Sequence, residues 1–172
     1  MEKIKSEQTK LSKKKVKFKF INPNSVEYPK ELMLRWEVLR KPLGMSPGSE
    51  INSKKEEEES LHLIALDGKE VVGCVLFHPE KEKEGKLFQM AVSEEYRGRG
   101  FGRKLIIALE KELKSRHFDA IYLQVREEVL KFYIKMGYAP DEAIEMKLGI
   151  PHRTVRKKLL SQKFNLDYFY SK

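Results

Sequence analysis

Arg97, Gly98, Arg99, Gly100, Phe101, Gly102 and Arg103 have the composition of an anion cradle. An apolar run at residues 87–92 and a polar turn at 93–96 precede them, and an amphipathic stretch follows. Glycines let backbone approach a ligand and adopt dihedrals other residues avoid. The first N–H groups of a helix have no internal partner and carry partial positive charge, so such a start binds phosphate. Arg97, Arg99 and Arg103 add donors matched to phosphate oxygens. The order strand, turn, glycines, helix therefore predicts a phosphate-bearing cofactor. A Walker loop would end in Gly-Lys-Ser/Thr, whereas this loop ends Gly-Arg-Lys. A dinucleotide loop would read G-x-G-x-x-G, whereas these glycines alternate.

A second segment has a similar layout. Residues 121–125 (Ile-Tyr-Leu-Gln-Val) read as a strand, and residues 127–136 as a helix that closes on Gly137 and Tyr138. Phe132 reads as helix core. Tyr133 has a polar end that needs a partner when buried. His62, His78 and His152 could act as bases by their ordinary pKa, His78 being expected exposed in a turn before Pro79. Cys74 lies in an apolar run and reads as a buried structural thiol. No Cys/His grouping has metal-site spacing, so no metal is expected.

The elements that position these residues are legible as periodicities. Residues 16–21 alternate apolar and basic, the mark of a half-buried strand. Residues 29–41 place Leu32, Trp36 and Leu39 at helical spacing before Pro42. Residues 41–60, with two prolines, two glycines and a charge run, read as an exposed loop with at most one irregular turn. Strands at 61–66 and 70–77 flank Asp67-Gly68, a hairpin signal. Residues 81–85 turn the chain into the strand at 87–92. A helix at 101–116 carries Leu105, Ile106, Leu109 and Leu113 inward. Residues 138–146 and 151–159 are the final strands, the last patterned weakly enough to read also as helix. Antiparallel strands with a few helices imply an α+β domain.

The 172 residues make one domain with room for a core. We divide them into a basic flexible tail (1–14), a main folded domain (15–160) and a C-terminal extension (161–172), whose Phe164, Tyr168, Phe169 and Tyr170 would cover a core edge or a partner subunit in a homodimer. No apolar run is long enough to span a membrane, and the lysine-rich start lacks the apolar stretch of a secretory signal. A lone cysteine suits a reducing, cytoplasmic setting. The net charge of +9 sits at the ends: +6 over residues 1–20, +5 over 152–172 and −2 between. Basic arms can contact nucleic acid, but a solvated extension is the expected reading and nucleic acid is not expected as a partner.

Arg97-Gly98-Arg99-Gly100-Phe101-Gly102 resembles, without a gap, the Q/R-x-x-G-x-G/A cofactor loop of the Gcn5-related N-acetyltransferases. Tyr133, Gly137 and Tyr138 resemble that family's second signature, with Val129 and Arg126 where many members have alanine and asparagine. The stretch from Leu34 to Gly44 and Gly149-Ile150-Pro151-His152 look like an uncharacterised bacterial branch, so the resemblance spans about residues 16–160. It implies the acyl-CoA N-acyltransferase fold, a mixed, mostly antiparallel curved sheet flanked by helices and splayed in the middle. It implies direct acetyl transfer from acetyl-CoA to a small-molecule or peptide amine. Backbone at Met90, Ala91 and Val92 would bind the pantetheine and acetyl carbonyl, and residues Arg97 to Arg103 the pyrophosphate. Tyr133 would protonate the leaving thiolate. The glutamate base of some relatives is replaced by Lys86, so the base stays open between His62, His152, a water held by Gln89, and none. The alternative is a non-catalytic CoA-binding module that regulates through its basic ends.

Overall fold

Hairpin turns lay down most of the sheet in chain order. The computed structural model describes residues 15–159; the predicted tail, the predicted extension and its four aromatic residues lie outside the described residues. Strands β1 (Lys17–Ile21), β2 (Leu61–Asp67), β3 (Glu70–Lys81) and β4 (Glu84–Val92) are consecutive antiparallel neighbours. Asp67 pairs with Glu70 across the predicted turn. β4 then runs parallel to β5 (Ala120–Arg126), and β5 pairs antiparallel with β7 (Ile150–Lys158), leaving β6 (Ala139–Lys147) on the edge. The sheet is mixed and mostly antiparallel, and the last segment is a strand.

Two helices sandwich the centre of the sheet. α3 (Phe101–Ser115) buries Leu105, Ile106, Leu109 and Leu113 against one face, as its spacing predicted. α1 (Tyr28–Leu39) lies on the other face, over β3 and β4. Val71 to Phe77 of β3 are therefore buried on both sides of the strand. β1 differs from expectation: Phe18 and Phe20 are 36% and 38% exposed, because this edge strand has little covering it beyond the α1 side.

The largest departure is in residues 41–60. They form a 3₁₀ turn (Lys41–Leu43) and the short helix α2 (Lys54–Glu59), which Ser53 caps by accepting the Glu56 N–H at 3.2 Å. The charge run is not wholly exposed: Glu57 points inward and is buried with Glu50 and Ser60. It meets the inner face of α1, which carries Glu31, Leu34 and Arg35 rather than Leu32 and Trp36.

Arg35 is 0% exposed. It donates to both Glu57 oxygens, at 3.1 and 2.7 Å, and to the Glu50 carbonyl at 2.5 Å, with a Glu31 oxygen 3.5 Å away. His62, also without exposed surface, has Nδ1 at 3.0 Å from Glu31 and Nε2 at 2.9 Å from the Glu57 carbonyl. Both ring nitrogens face acceptors, so both carry protons and His62 is an imidazolium. Two cations thus balance Glu31 and Glu57. Burial works against the His62 charge, but the Glu31 hydrogen bond and charge outweigh it and the pKa lies above its ordinary 6.5. Burial likewise opposes the Glu57 carboxylate, yet the Arg35 bonds and the Asn52 N–H hold it down to about 2.

Removing one member leaves an uncompensated buried charge. Arg35→Met should cost about 3–5 kcal/mol in chemical denaturation. The raised His62 pKa gives stability that is complete below 6.5 and fades as pH rises through the folded value. The depressed Glu57 pKa gives stability that is present above 4.5 and lost as pH falls toward about 2. Denaturation midpoints across pH should therefore decline on both limbs, and the His62 ring signal should stay that of the charged form above pH 6.5; an NMR titration at or below that value would contradict the assignment.

Candidate active site

β4 and β5 are bonded to each other only at Glu84, Gly85 and Lys86 against Ala120, Ile121 and Tyr122. Beyond Lys86 they diverge, and β5 continues along β7 instead. The β5-facing edge of residues 87–92 is left without a strand partner, a row of backbone groups that can bind something inserted there. This is the splay the resemblance implied.

A bulge re-aims that strand. Cys74 pairs with Ala91 and Leu76 with Phe88, so β4 fits one extra residue against β3. Gln89 absorbs it at φ 50, an uncommon conformation for a non-glycine. Leu87 points to the α3 side, while Gln89 and Ala91 point to the α1 side and Met90 and Val92 back toward α3. The Gln89 amide donates to the Glu50 carbonyl at 2.9 Å and lies 3.4 Å from Asn52 Oδ1; its backbone carbonyl accepts from Cys74 Sγ at 3.4 Å. Both ends of that side chain are engaged, since Arg40 Nη2 approaches Oε1 at 3.5 Å. Gln89 therefore holds the bulge rather than a water.

The glycine loop stands at the wide end of the cleft. Gly98 and Gly100 have φ 71 and 78, and a Cβ at either would meet nothing within 4 Å, so conformation and not crowding requires glycine. Gly100 occupies the cap position of α3 with no side-chain cap, leaving the N–H groups of Phe101, Gly102 and Arg103 free. Arg97, Arg99 and Arg103 are exposed, and none has a carboxylate partner among the described residues. Arg97 Nε donates to the Val92 carbonyl at 3.2 Å, and Arg99 lies 5.2 Å from the centre of the Tyr96 ring. Tyr96 donates to Asp67 at 2.5 Å, which ties the loop to the β2–β3 hairpin. Open glycines, an uncapped helix start and unpaired arginines fit a pyrophosphate.

Three of the predicted site residues, Met90, Val92 and Gly102, meet. A Cβ on Gly102 would lie 3.1 Å from Met90 Cε, 3.7 Å from Phe132 Cζ and 3.9 Å from Val92 Cγ2. Phe132, expected in the core, is 37% exposed because it leans over this junction. The helix expected over 127–136 is a 3₁₀ turn (Glu127–Val129) followed by α4 (Leu130–Lys135). α4 buries Tyr133, whose ring packs edge-on against Phe132 and Tyr138. Burial alone pushes the Tyr133 phenol up to about 12, and its hydroxyl has no hydrogen-bond partner among the described residues.

Glu110 and Lys157, not singled out from sequence, join Tyr138 in holding α4 in place. Tyr138 donates to the buried Glu110 at 3.0 Å, and Lys157 donates to both Glu110 oxygens at 2.9 and 2.8 Å and to the Met136 carbonyl at 2.7 Å. Only a Glu on the inner face of an amphipathic helix hinted at this. Of the candidate bases, His62 is buried and fully bonded, which removes it. His78 lies within β3, beside Ser60 Oγ at 3.2 Å, rather than in an exposed turn. His152 Nδ1 donates to the Ile150 carbonyl at 2.8 Å, leaving Nε2 as the acceptor of the neutral ring.

Comparison with known proteins agrees with this geometry. The sequence profile of the Acetyltransferase (GNAT) family matches residues 28–138. Acetyltransferases from Yersinia pestis strains Pestoides F and Antiqua are each 32% identical over 119 residues, 66% of this chain and 83% of theirs. An acyl-CoA N-acyltransferase from Pseudomonas aeruginosa superposes with a TM-score of 0.73 at 18% identity, over 83% of this chain and 99% of that one. An aminoglycoside 6'-N-acetyltransferase solved with coenzyme A does so with 0.71 at 19%, over 84% and 97%. At these identities the structures speak to the fold. No helix among the described residues is long and apolar enough to cross a membrane.

Lys157→Met would strand the Glu110 charge beneath α4. With Lys157 itself 22% exposed, it should cost about 2 kcal/mol in chemical denaturation, below the full buried-pair value. An unchanged midpoint would show that the pair does not hold α4.

Proposed function

The chain belongs to the GNAT acetyltransferase family, has the acyl-CoA N-acyltransferase fold, and on that premise we propose that it moves an acetyl group from acetyl-CoA directly to a primary amine of a small molecule or peptide. What supports the reading is the meeting of the glycine loop with the unpartnered edge of β4, at Gly102, Met90 and Val92, beside Phe132, on whose ring Tyr133 packs.

Acetyl-CoA supplies an activated thioester. Arg97, Arg99, Arg103 and the α3 N–H groups hold its pyrophosphate, and fixing a long ligand at its remote end can contribute several kcal/mol through positioning. Met90, Ala91 and Val92 offer backbone, not side chains: Ala91 is 2% exposed and faces the α1 core. A backbone N–H beside the bulge stabilises charge growing on the carbonyl oxygen.

Tyr133 donates to the departing sulfur. With its pKa near 12, the phenol is fully protonated at neutral pH. An ordinary thiol near 8.5 would take the proton only uphill, by about 5 kcal/mol. Tyr133 therefore acts first as a hydrogen-bond donor to the growing thiolate, and transfer completes as the sulfur's own pKa rises in the same apolar surroundings. We assign His152 as the proton acceptor for the amine, on its open Nε2. It stands opposite Arg126 in the β5–β7 ladder and shares a sheet face with it. The buried, unpaired Cys74 suits a reducing cytoplasm.

Calorimetric titration with acetyl-CoA, with NAD and ATP as controls, tests the cofactor; equal or absent binding would refute it. Gly100→Val forces a β-branched residue to φ 78 and should abolish that binding. Tyr133→Phe should lower kcat about ten- to hundredfold with acetyl-CoA affinity nearly unchanged, and an untouched kcat would remove Tyr133 from the chemistry.

A further inference from the structure

Among the described residues, the sheet face beyond the bulge is open on one half. α1 covers β3 and β4, but no helix among the described residues packs on the same face of β5, β7 and β6. Leu123 and Val125 point into the α3-side core, so Gln124 and Arg126 point the other way, with Thr154 and His152 opposite them on β7. This shelf adjoins Gln89 and the C-terminal end of α1, where Arg40 sits. It lies on the opposite face from the glycine loop and its arginines.

Among the described residues, Arg40 and Arg126 lack the close carboxylate partners that neighbouring arginines have. Arg153 donates to Glu127 at 2.7 Å, Arg156 to Glu84 at 2.6 Å, and Arg35 to Glu57 at 2.7 Å. Arg40 is half-buried, and its contacts are long and neutral: Ser49 carbonyl at 3.4 Å, Leu39 carbonyl at 3.4 Å and Gln89 Oε1 at 3.5 Å. Glu50 is near enough for its charge to act on Arg40 but turns a carboxylate oxygen to the Gly48 N–H at 2.8 Å. Arg126 has only Glu128, exposed and 3.6 Å away, a pair worth little in water. Lys86 faces Tyr122 in the parallel β4–β5 register, so Arg126 stands about level with the bulge across the parting from Gln89, which Arg40 reaches; burial first, then the positive charges of Arg35 and Arg126, push the Arg40 pKa down. On the shelf, Glu145 accepts from the Gln124 amide at 2.8 Å, and Lys147 donates to the other end of that amide. Leaving a half-buried guanidinium without an anion is costly, and guanidinium forks match carboxylate and phosphate oxygens.

Resting on the acetyl-transfer reading above, we propose that the acceptor amine carries an anionic group, a carboxylate or phosphate, seated between Arg40 and Arg126 beside the bulge of β4. That seat fixes the acceptor at one end while its amine reaches toward Met90 and His152. The same charges disfavour a polycationic acceptor, so this chain selects differently from an enzyme that acetylates aminoglycosides.

The test pairs turnover with binding. ω-Amino carboxylates and ω-aminoalkyl phosphates of graded length, each with its matching ω-amino alcohol and diamine, are assayed by coenzyme A thiol release. Their N-acetyl products are titrated separately into isotope-labelled full-length protein, with the arginine Nε–H signals as readout. The best anionic acceptor should exceed its alcohol about tenfold or more in kcat/KM, the value of one charge-assisted hydrogen bond. Its N-acetyl product should shift the Arg40 and Arg126 signals where the neutral product does not. Arg40→Gln and Arg126→Gln should each move that ratio toward one, mainly through KM. Preference between the carboxylate and phosphate series identifies the anion. Alcohols or diamines that match the anionic series, or substitutions that leave the ratio unchanged, overturn the proposal. Selective binding of the anionic product without thiol release from any amine would sink the acetyl-transfer reading and leave the anion seat standing; unselective binding would remove the seat whatever the turnover.

Discussion

Arg35 is the residue around which half of the site is organised. A guanidinium with no exposed surface has to find anions, and the two it finds come from different places: Glu31 on its own helix and Glu57 on α2. That demand pulls residues 41–60 onto the sheet. Glu50 then lies where its carbonyl accepts from both Arg35 and Gln89, at 2.5 and 2.9 Å. Asn52 reaches Glu57 from its backbone and side chain, at 2.9 and 2.8 Å, and lies beside Gln89. Such a cluster is poor as a source of net stability, because desolvation offsets most of the attraction. Its contribution is geometric: it gives each group one place to be.

Gln89 joins that cluster to the chemistry. The bulge costs a positive φ and a break in the β3–β4 register, of order 1–3 kcal/mol if nothing held it. Its amide, its carbonyl and the ring of partners on the α1 side hold it. The consequence falls on the opposite side of the strand, where Met90 and Val92 meet Gly102 and Phe132. The parting of β4 from β5 has a complementary cause. β5 stays paired with β7 over its full length, which carries it away from β4 and leaves the facing edge of its residues 123–126 without a strand partner as well. An edge opened inside a sheet would ordinarily be a liability; here it lies within the sheet, between β3 on one side and the diverging β5 on the other.

Much of the sheet was legible in the sequence, because its strands are separated by turns with strong local chemistry and because α3 has a clean apolar stripe at Leu105, Ile106, Leu109 and Leu113. α1 misleads for a physical reason. Apolar spacing at Leu32 and Trp36 points to one face, yet the face that is buried carries Glu31 and Arg35. Periodicity assumes that burial selects apolar side chains, and a neutralised ion cluster breaks that assumption. The run of charges at 54–59 fails likewise: nothing local distinguishes Glu57, the buried member, from Glu56 or Glu58, since what buries it is an arginine more than one element away.

The two sides of the cleft differ in legibility for the same reason. The phosphate cradle proposed for the loop needs consecutive residues whose backbone is exposed, so glycines and arginines accumulate in a few positions and can be read in a line. Recognition on the α1 side uses the last turn of one helix, a bulged strand and the ends of β5 and β7, residues separated by dozens of positions and individually ordinary. Arg40 reads as a routine basic residue near a helix end and Arg126 as a departure from a family pattern. Their significance is relational: the other arginines on these elements meet a carboxylate at 2.7 Å or closer, and these two do not. That inequality exists only once the chain has folded, because pairing is decided by which strands become neighbours and not by which residues adjoin in sequence.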